Sequence, residues 1–485
     1  MESGNIKSSA MSGFVWKTLE QYGMIGIQFV LQIVLARLLE PEHYGVIAIA
    51  NVFVSLSNVF IQNGFAVALV QKKELDDRDI SSVFIVSEGI AVILYILMFF
   101  GAPVLAGIYG IPVLTDLVRV MSLVLFPGAY TSVQSAIIRR EMRFQRSFFA
   151  NISAVGISGV VGIVTALCGM GVWALALQQL LYGFLSMLFM QIILRWRPKP
   201  CFEVARVRPL LSMGWKVLLS SLIDQIFVEY RSLFIGKVYS SEKMSFYNRG
   251  KQFPNLLVHS INGAIQAVLL PVMSRAQDNK DNLKQIIRRS LVGSSYLVFP
   301  LLAGMAVVAP TLISVLLTEK WMPCVIFLQI NCIFYATWPL STSSIQALYS
   351  VGKSGTVLKI EVFRKVVDFA VLIVTLRMGI FAIAVGAAAV SVLVMPVYLV
   401  PGSRVTGYSV REQVKDVFPI LVGTAIMSLS VYFLGFLRIP EWMLLVVQVA
   451  AGAVVYFIYS KIMRLEILRY LTASVFHLFR GKKER

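Results

Sequence analysis

Histidine, cysteine and charge are all scarce here: 3 His, 4 Cys and 14% charged residues in 485. The cysteines are Cys168, Cys201, Cys324 and Cys332. They show no C-x-x-C spacing and have no histidine beside them, which argues against a disulfide framework and a thiolate metal site. Small apolar packing residues is the better reading. Soluble domains carry about 25% charged residues, so this chain is not a large-cored soluble enzyme. Also missing are H-E-x-x-H and G-x-S-x-G. No catalytic centre, cofactor or metal is expected. The segment A-L-Y-S-V-G-K-S at 347–354 loosely matches a phosphate-binding loop but lacks its first glycine, and it reads as a turn between two helices.

Hydrophobic residues make up 58% of the chain. About fourteen segments are long and apolar enough to cross about 30 Å of hydrocarbon as helices. Spans seven, eight and eleven are placed at 211–237, 252–274 and 357–377. An all-α integral membrane protein follows, with both termini on one side. Numbered alternately, one set of connections holds most of the Lys and Arg, including Arg139, Arg140, Arg143 and Arg146. The basic segment 195–208 and the tail after Lys461 belong to the same set. Positive charge marks the cytoplasmic side. The net charge of +19 is therefore topology, and nucleic acid is not needed to explain it.

Several spans carry polar groups they could have avoided. Asn255, His259, Asn262 and Gln266 recur at steps of four, three and four, and so share one helix face. Asn51, Ser55, Asn58 and Gln62 repeat that spacing. Lys216, Ser220, Asp224 and Arg231 share a face of span seven. Hydrocarbon penalises such groups, so the stripes are expected to line a wet, protein-walled cavity; interhelical hydrogen bonding is the plainer alternative. Trp16-Lys17 and Trp215-Lys216 open the first and seventh spans, and Gln62 and Asn262 also correspond. This points to two parallel halves around a central site. The expected division is 1–196 for a first six-helix lobe, 197–210 for a linker, 211–403 for a second lobe, and 404–485 for two further helices and a tail.

The stretches A-R-L-L-E-P-E-H-Y-G-V-I-A-I-A (36–50), I-R-R-E-M-R-F-Q-R (138–146) and C-G-M-G-V-W-A-L-A (168–176) join I-G-K-V-Y-S-S-E-K-M-S-F-Y-N-R-G-K-Q (235–252). Together they resemble the polysaccharide-transporter branch of the multidrug/oligosaccharidyl-lipid/polysaccharide exporter superfamily. The resemblance implies fourteen helices in two six-helix lobes plus two trailing helices. It also implies export of polyprenyl-diphosphate-linked oligosaccharides across a bacterial cytoplasmic membrane. Polysaccharide polymerase and glycosyltransferases are the implied partners. One departure is Ser245, where the matching loop usually has glycine.

Such a cargo needs cations for its diphosphate, supplied by charge-assisted hydrogen bonds. Lys17, Lys216 and Arg231 are the candidates. Its sugars need amide and imidazole partners, for which Gln21, Gln28, Gln32, Asn51, Asn58, Gln62, Asn255, His259, Asn262 and Gln266 are expected. Asp224 and Glu229 are candidates for proton coupling, although Asp224 also serves to offset Lys216 or Arg231. Glu361, Arg364, Lys365 and Asp368 form two i,i+4 opposite-charge pairs and read as a compensated structural patch. Glu88 stands alone in span three. A cation-coupled small-molecule antiporter of the same fold is the competing reading; only Glu20 is near the place of its first-span acid.

Overall fold

The computed structural model describes residues 2–62, 69, 76–141, 144–199, 201–275 and 280–468. Every regular element among them is helical. Among the described residues, eleven stretches are long and apolar enough to cross a membrane. The three other expected spans are helices of full length, and each carries a polar stripe or a charged cluster. Large apolar side chains such as Phe100 (73% exposed) and Leu393 (75% exposed) cover the outer faces, the arrangement that lipid solvation permits.

The chain divides into two compact units, 1–245 and 246–485. In the first, α1 (Glu2–Leu38), α2 (Pro41–Gln62) and α3 (Asp77–Tyr109) are followed by α4 (Val113–Met121) and α5 (Leu125–Glu141). Then come α6 (Phe144–Leu167), α7 (Val172–Leu194) and α8 (Val204–Val238). Helix α6 packs against both α1 and α7, and α8 packs against α2 and α3. The segment expected as a linker thus contributes the first turns of α8. Upstream, Lys199 bonds Asp77 at 2.6 Å. That hydrogen bond and the Asp77 charge hold the Lys199 ammonium above its ordinary pKa.

Two turns sit at matching places in the proposed repeat, after α1 and after α8. They touch: a methyl group on Gly45 would overlap the Ser241 backbone carbonyl. Glycine is the residue that lets backbone meet backbone so closely.

Helix α9 (Ser241–Arg275) begins in the first unit and continues in the second. After it come α10 (Lys280–Leu317), α11 (Val325–Ala336), α12 (Trp338–Ser350) and α13 (Ser354–Thr375). The chain continues with α14 (Ile380–Leu393), α15 (Met395–Thr406), α16 (Val410–Leu434) and α17 (Glu441–Ile462). Three expected spans are broken near mid-length, and each break precedes a proline in the first turn of the next helix: Pro127, Pro339 and Pro396. Proline has no N–H to give and fits where the helix has no acceptor for one. Residues 347–354 run from helix α12 through a turn into helix α13, not from a strand.

The last helices are fastened to α10. Ser409 and Glu412 form a reciprocal cap at the start of α16, with bonds of 2.9 and 3.2 Å. Lys284 bonds Glu412 at 2.8 Å, and Arg288 bonds both oxygens of Asp416 at 2.7 and 3.1 Å. Deeper in the unit, the Tyr296 hydroxyl donates to Ser460 at 3.1 Å, and the Tyr456 hydroxyl donates to the Tyr296 carbonyl at 3.1 Å.

Candidate functional site

In the first unit, α1 carries Lys17, Gln21 and Gln28 exposed and Gln32 half-buried. Lys17 is ion-paired to Glu20 at 3.0 Å, so part of its charge is already compensated. Glu20 itself is only 5% exposed. Its second oxygen accepts from Ser147 and from Asn151, each at 2.7 Å. Asn151 in turn accepts from Ser186 at 2.7 Å. One carboxylate therefore organises donors from α1, α6 and α7, as a buried charge requires.

On α2, Asn51, Ser55 and Asn58 are half-buried and Gln62 is exposed. The Gln225 amide on α8 donates to the Ser55 hydroxyl at 3.3 Å and to Glu229 at 3.2 Å. The polar stripe of α2 therefore meets α8 through Gln225, a residue outside the stripe expected on that helix. Asp224 is exposed on α8 and Arg231 is half-buried, its guanidinium 5.4 Å from the Tyr230 ring centroid. The Lys216 side chain lies outside the described part of the structure.

A second polar group in this unit has no counterpart in the sequence expectations. The Tyr130 hydroxyl donates to Gln191 at 2.6 Å and Gln134 donates to the same oxygen at 3.2 Å. Phe84, Tyr130 and Trp196 stack edge to face at 5.1, 6.0 and 5.9 Å.

In the second unit, Asn255 is half-buried, while His259 and Gln266 are exposed and Asn262 is 2% exposed. Neither polar atom of the Asn262 amide has a hydrogen-bond partner among the described residues. Gln346 on α12 donates to Gln266 at 3.4 Å, and its own buried oxygen is also unpartnered. His259 packs edge-on against Trp338 at 5.1 Å, and Trp338 against Tyr335 at 5.0 Å. Trp338, Ser341, Arg364, Asp368, Ser391 and Tyr398 form part of the lining of an adjoining cavity of about 20 Å³, room for about one water molecule. Tyr398 donates to Glu361 at 2.9 Å. Besides its opposite charges, the patch on α13 places the Arg364 guanidinium on the mixed polar and apolar wall of that cavity. Periodicity within α13 could not reveal this, because the wall is completed by α11, α12, α14 and α15.

Long apolar helices with exposed outer faces, polar groups between them, and half-buried Arg231 and Arg364 in the two units define an integral membrane protein. Its backbone matches that of the lipid II flippase MurJ in an inward closed conformation, with a TM-score of 0.77 over 94% of this chain and 100% of that one, at 14% identity. An inward-facing multidrug resistance MATE transporter matches at 0.63, over 81% of this chain and 98% of the other, at 15% identity. The chain belongs to the polysaccharide biosynthesis protein family, whose profile matches residues 34–326, and the family resemblance read from the motifs holds. The succinoglycan biosynthesis transport protein ExoT of Rhizobium meliloti is 24% identical over 63% of this chain; the match spans 62% of that protein's length. The lipopolysaccharide biosynthesis protein WzxC of Escherichia coli is 22% identical over 68% of this chain and 67% of its own.

Proposed function

We propose that this protein moves polyprenyl-diphosphate-linked oligosaccharide repeats across the bacterial cytoplasmic membrane for surface polysaccharide synthesis. Membership of the polysaccharide biosynthesis family carries the reading, and relatives named for succinoglycan transport and lipopolysaccharide biosynthesis support it. The buried, unpartnered amide of Asn262 supports it chemically. Such a group costs about 1–3 kcal/mol unless something bonds it, and a sugar hydroxyl both donates and accepts.

In this scheme the repeat halves are 1–196 and 211–403, and both termini are cytoplasmic. Lys17, Lys216 and Arg231 receive the diphosphate. The amides of the α1, α2 and α9 stripes meet the sugars, and Asp224 or Glu229 couples proton movement. The passage is polar and cationic, opens alternately to the two sides, and transports without catalysis. Glycosyltransferases supply the cargo and a polymerase consumes it. Cation-coupled antiport is the second reading, and the burial of Glu20 in the first span favours it more than the sequence did.

The test is the double variant Lys216→Ala with Arg231→Ala. Two lost charge-assisted bonds predict export lowered by about 100-fold or more at unchanged membrane abundance, with lipid-linked oligosaccharide accumulating on the inner leaflet. Normal export by that variant sinks the diphosphate assignment. Drug efflux without such accumulation in a deletion strain selects the antiporter.

A further inference from the structure

A groove of about 630 Å³ opens where the N-terminal parts of α10 and α16 meet the turn after α17. Arg288, Arg289, Lys415 and Arg464 line it, with Asp416 and Glu466. Arg288 is taken up by Asp416 and lies 3.8 Å from Glu466. That leaves Arg289, Lys415 and Arg464 exposed, with no side-chain hydrogen bond or ion pair among the described residues. The tail after residue 468 cannot cancel them, since it carries four more Lys and Arg beyond Arg469 and only Glu484 in opposition.

The backbone at Arg464 is informative. Helix α17 ends with the Leu465 amide bonded to the Ser460 carbonyl at 3.1 Å and the Arg464 amide to the Lys461 carbonyl at 3.2 Å. This termination puts its penultimate residue in the left-handed region, where glycine is the usual occupant. Here the residue is an arginine at φ 51°. A charged side chain is thus held at a position whose backbone disfavours it, and it lines the groove.

Below the cations the lining turns apolar, with Val292, Ile420 and Leu465. Beside it, Val414, Phe418 and Met463 are each more than half exposed, as befits helix ends in acyl chains. Three unpaired cations over an apolar floor, at the level where helices leave the bilayer, match one chemistry: a phosphodiester headgroup with its chains alongside.

We propose that this groove binds an anionic phospholipid of the surrounding leaflet, distinct from the transported cargo. The proposal rests on the membrane placement of the chain and not on the transport reading. Full-length protein is reconstituted in vesicles of phosphatidylethanolamine and phosphatidylglycerol, extracted, and examined by native mass spectrometry. The wild type should retain phosphatidylglycerol. The variant Arg289→Gln, Lys415→Gln, Arg464→Gln should lose retention on the order of 100-fold, at about one cation's contribution per site, and Lys415→Gln alone should lose about fivefold. Replacing both arginines by lysine should keep it. Equal retention by wild type and triple variant overturns the proposal. So does displacement by millimolar inorganic phosphate, which would mark a free-phosphate site, or preferential retention of added polyprenyl phosphate, which would mark a cargo port. Should the triple variant lose its helical circular dichroism, the Lys415→Gln comparison decides: unchanged retention there overturns the assignment.

Discussion

Asn262 is the residue at which stability and transport should part company. Among the described residues both polar atoms of its buried amide are unpartnered, so Asn262→Leu removes an uncompensated desolvation while keeping the branched heavy-atom skeleton. The variant should melt at the same temperature or a few degrees higher in detergent, since about 1 kcal/mol shifts a large domain by about 2–4 °C, while export falls. A lower melting temperature with normal export would mean that the amide is internal glue. The four-three-four spacing made this residue legible, because the period of a helix is visible in one strand of text. Glu20 was not legible in the same way. Its partners Ser147, Asn151 and Ser186 come from α6 and α7, and a single sequence says nothing about which helices are neighbours. The cavity beside Arg364 was hidden for the same reason: its own helix offers the counter-charges, but other helices build the cavity it lines.

Among the elements, the long helices were readable because hydropathy and length leave them little choice. Their breaks were also marked, by Pro127, Pro339 and Pro396, although a proline in the text does not reveal whether a membrane helix kinks or restarts. The contact between the two matching turns was invisible beforehand. At Gly45 a methyl group would overlap the Ser241 carbonyl, and neither backbone has a flexible end to yield. Overpacking costs about 1–3 kcal/mol in ordinary cores, and backbone against backbone belongs at the upper end. Gly45→Ala should therefore reduce membrane abundance and lower the melting temperature by several degrees. Thermal shift and immunoblot check this. A variant as stable as the wild type would show that the two turns stand further apart than described.

On the scale of the whole molecule, two native cysteines report orientation. Cys168 is exposed in the turn between α6 and α7, and Cys201 is half-buried in the segment before α8. The positive-inside arrangement puts them on opposite sides of the membrane. A membrane-impermeant maleimide applied to intact cells should label Cys168, and Cys201 should react only after permeabilisation. The reverse pattern would invert the proposed topology and place the basic segment outside. The side-to-side assignment came entirely from lysine and arginine, whereas the cavity walls needed coordinates, because they are made by residues far apart in the chain. The trailing pair, α16 and α17, carries a last implication. Its ion pairs at the membrane boundary and the Tyr296–Ser460 and Tyr456–Tyr296 hydrogen bonds deeper down are made to α10. The hairpin is thus a passenger of that helix: when α10 tilts, α16 and α17 tilt with it, and any lipid seated beside them is dragged along as ballast.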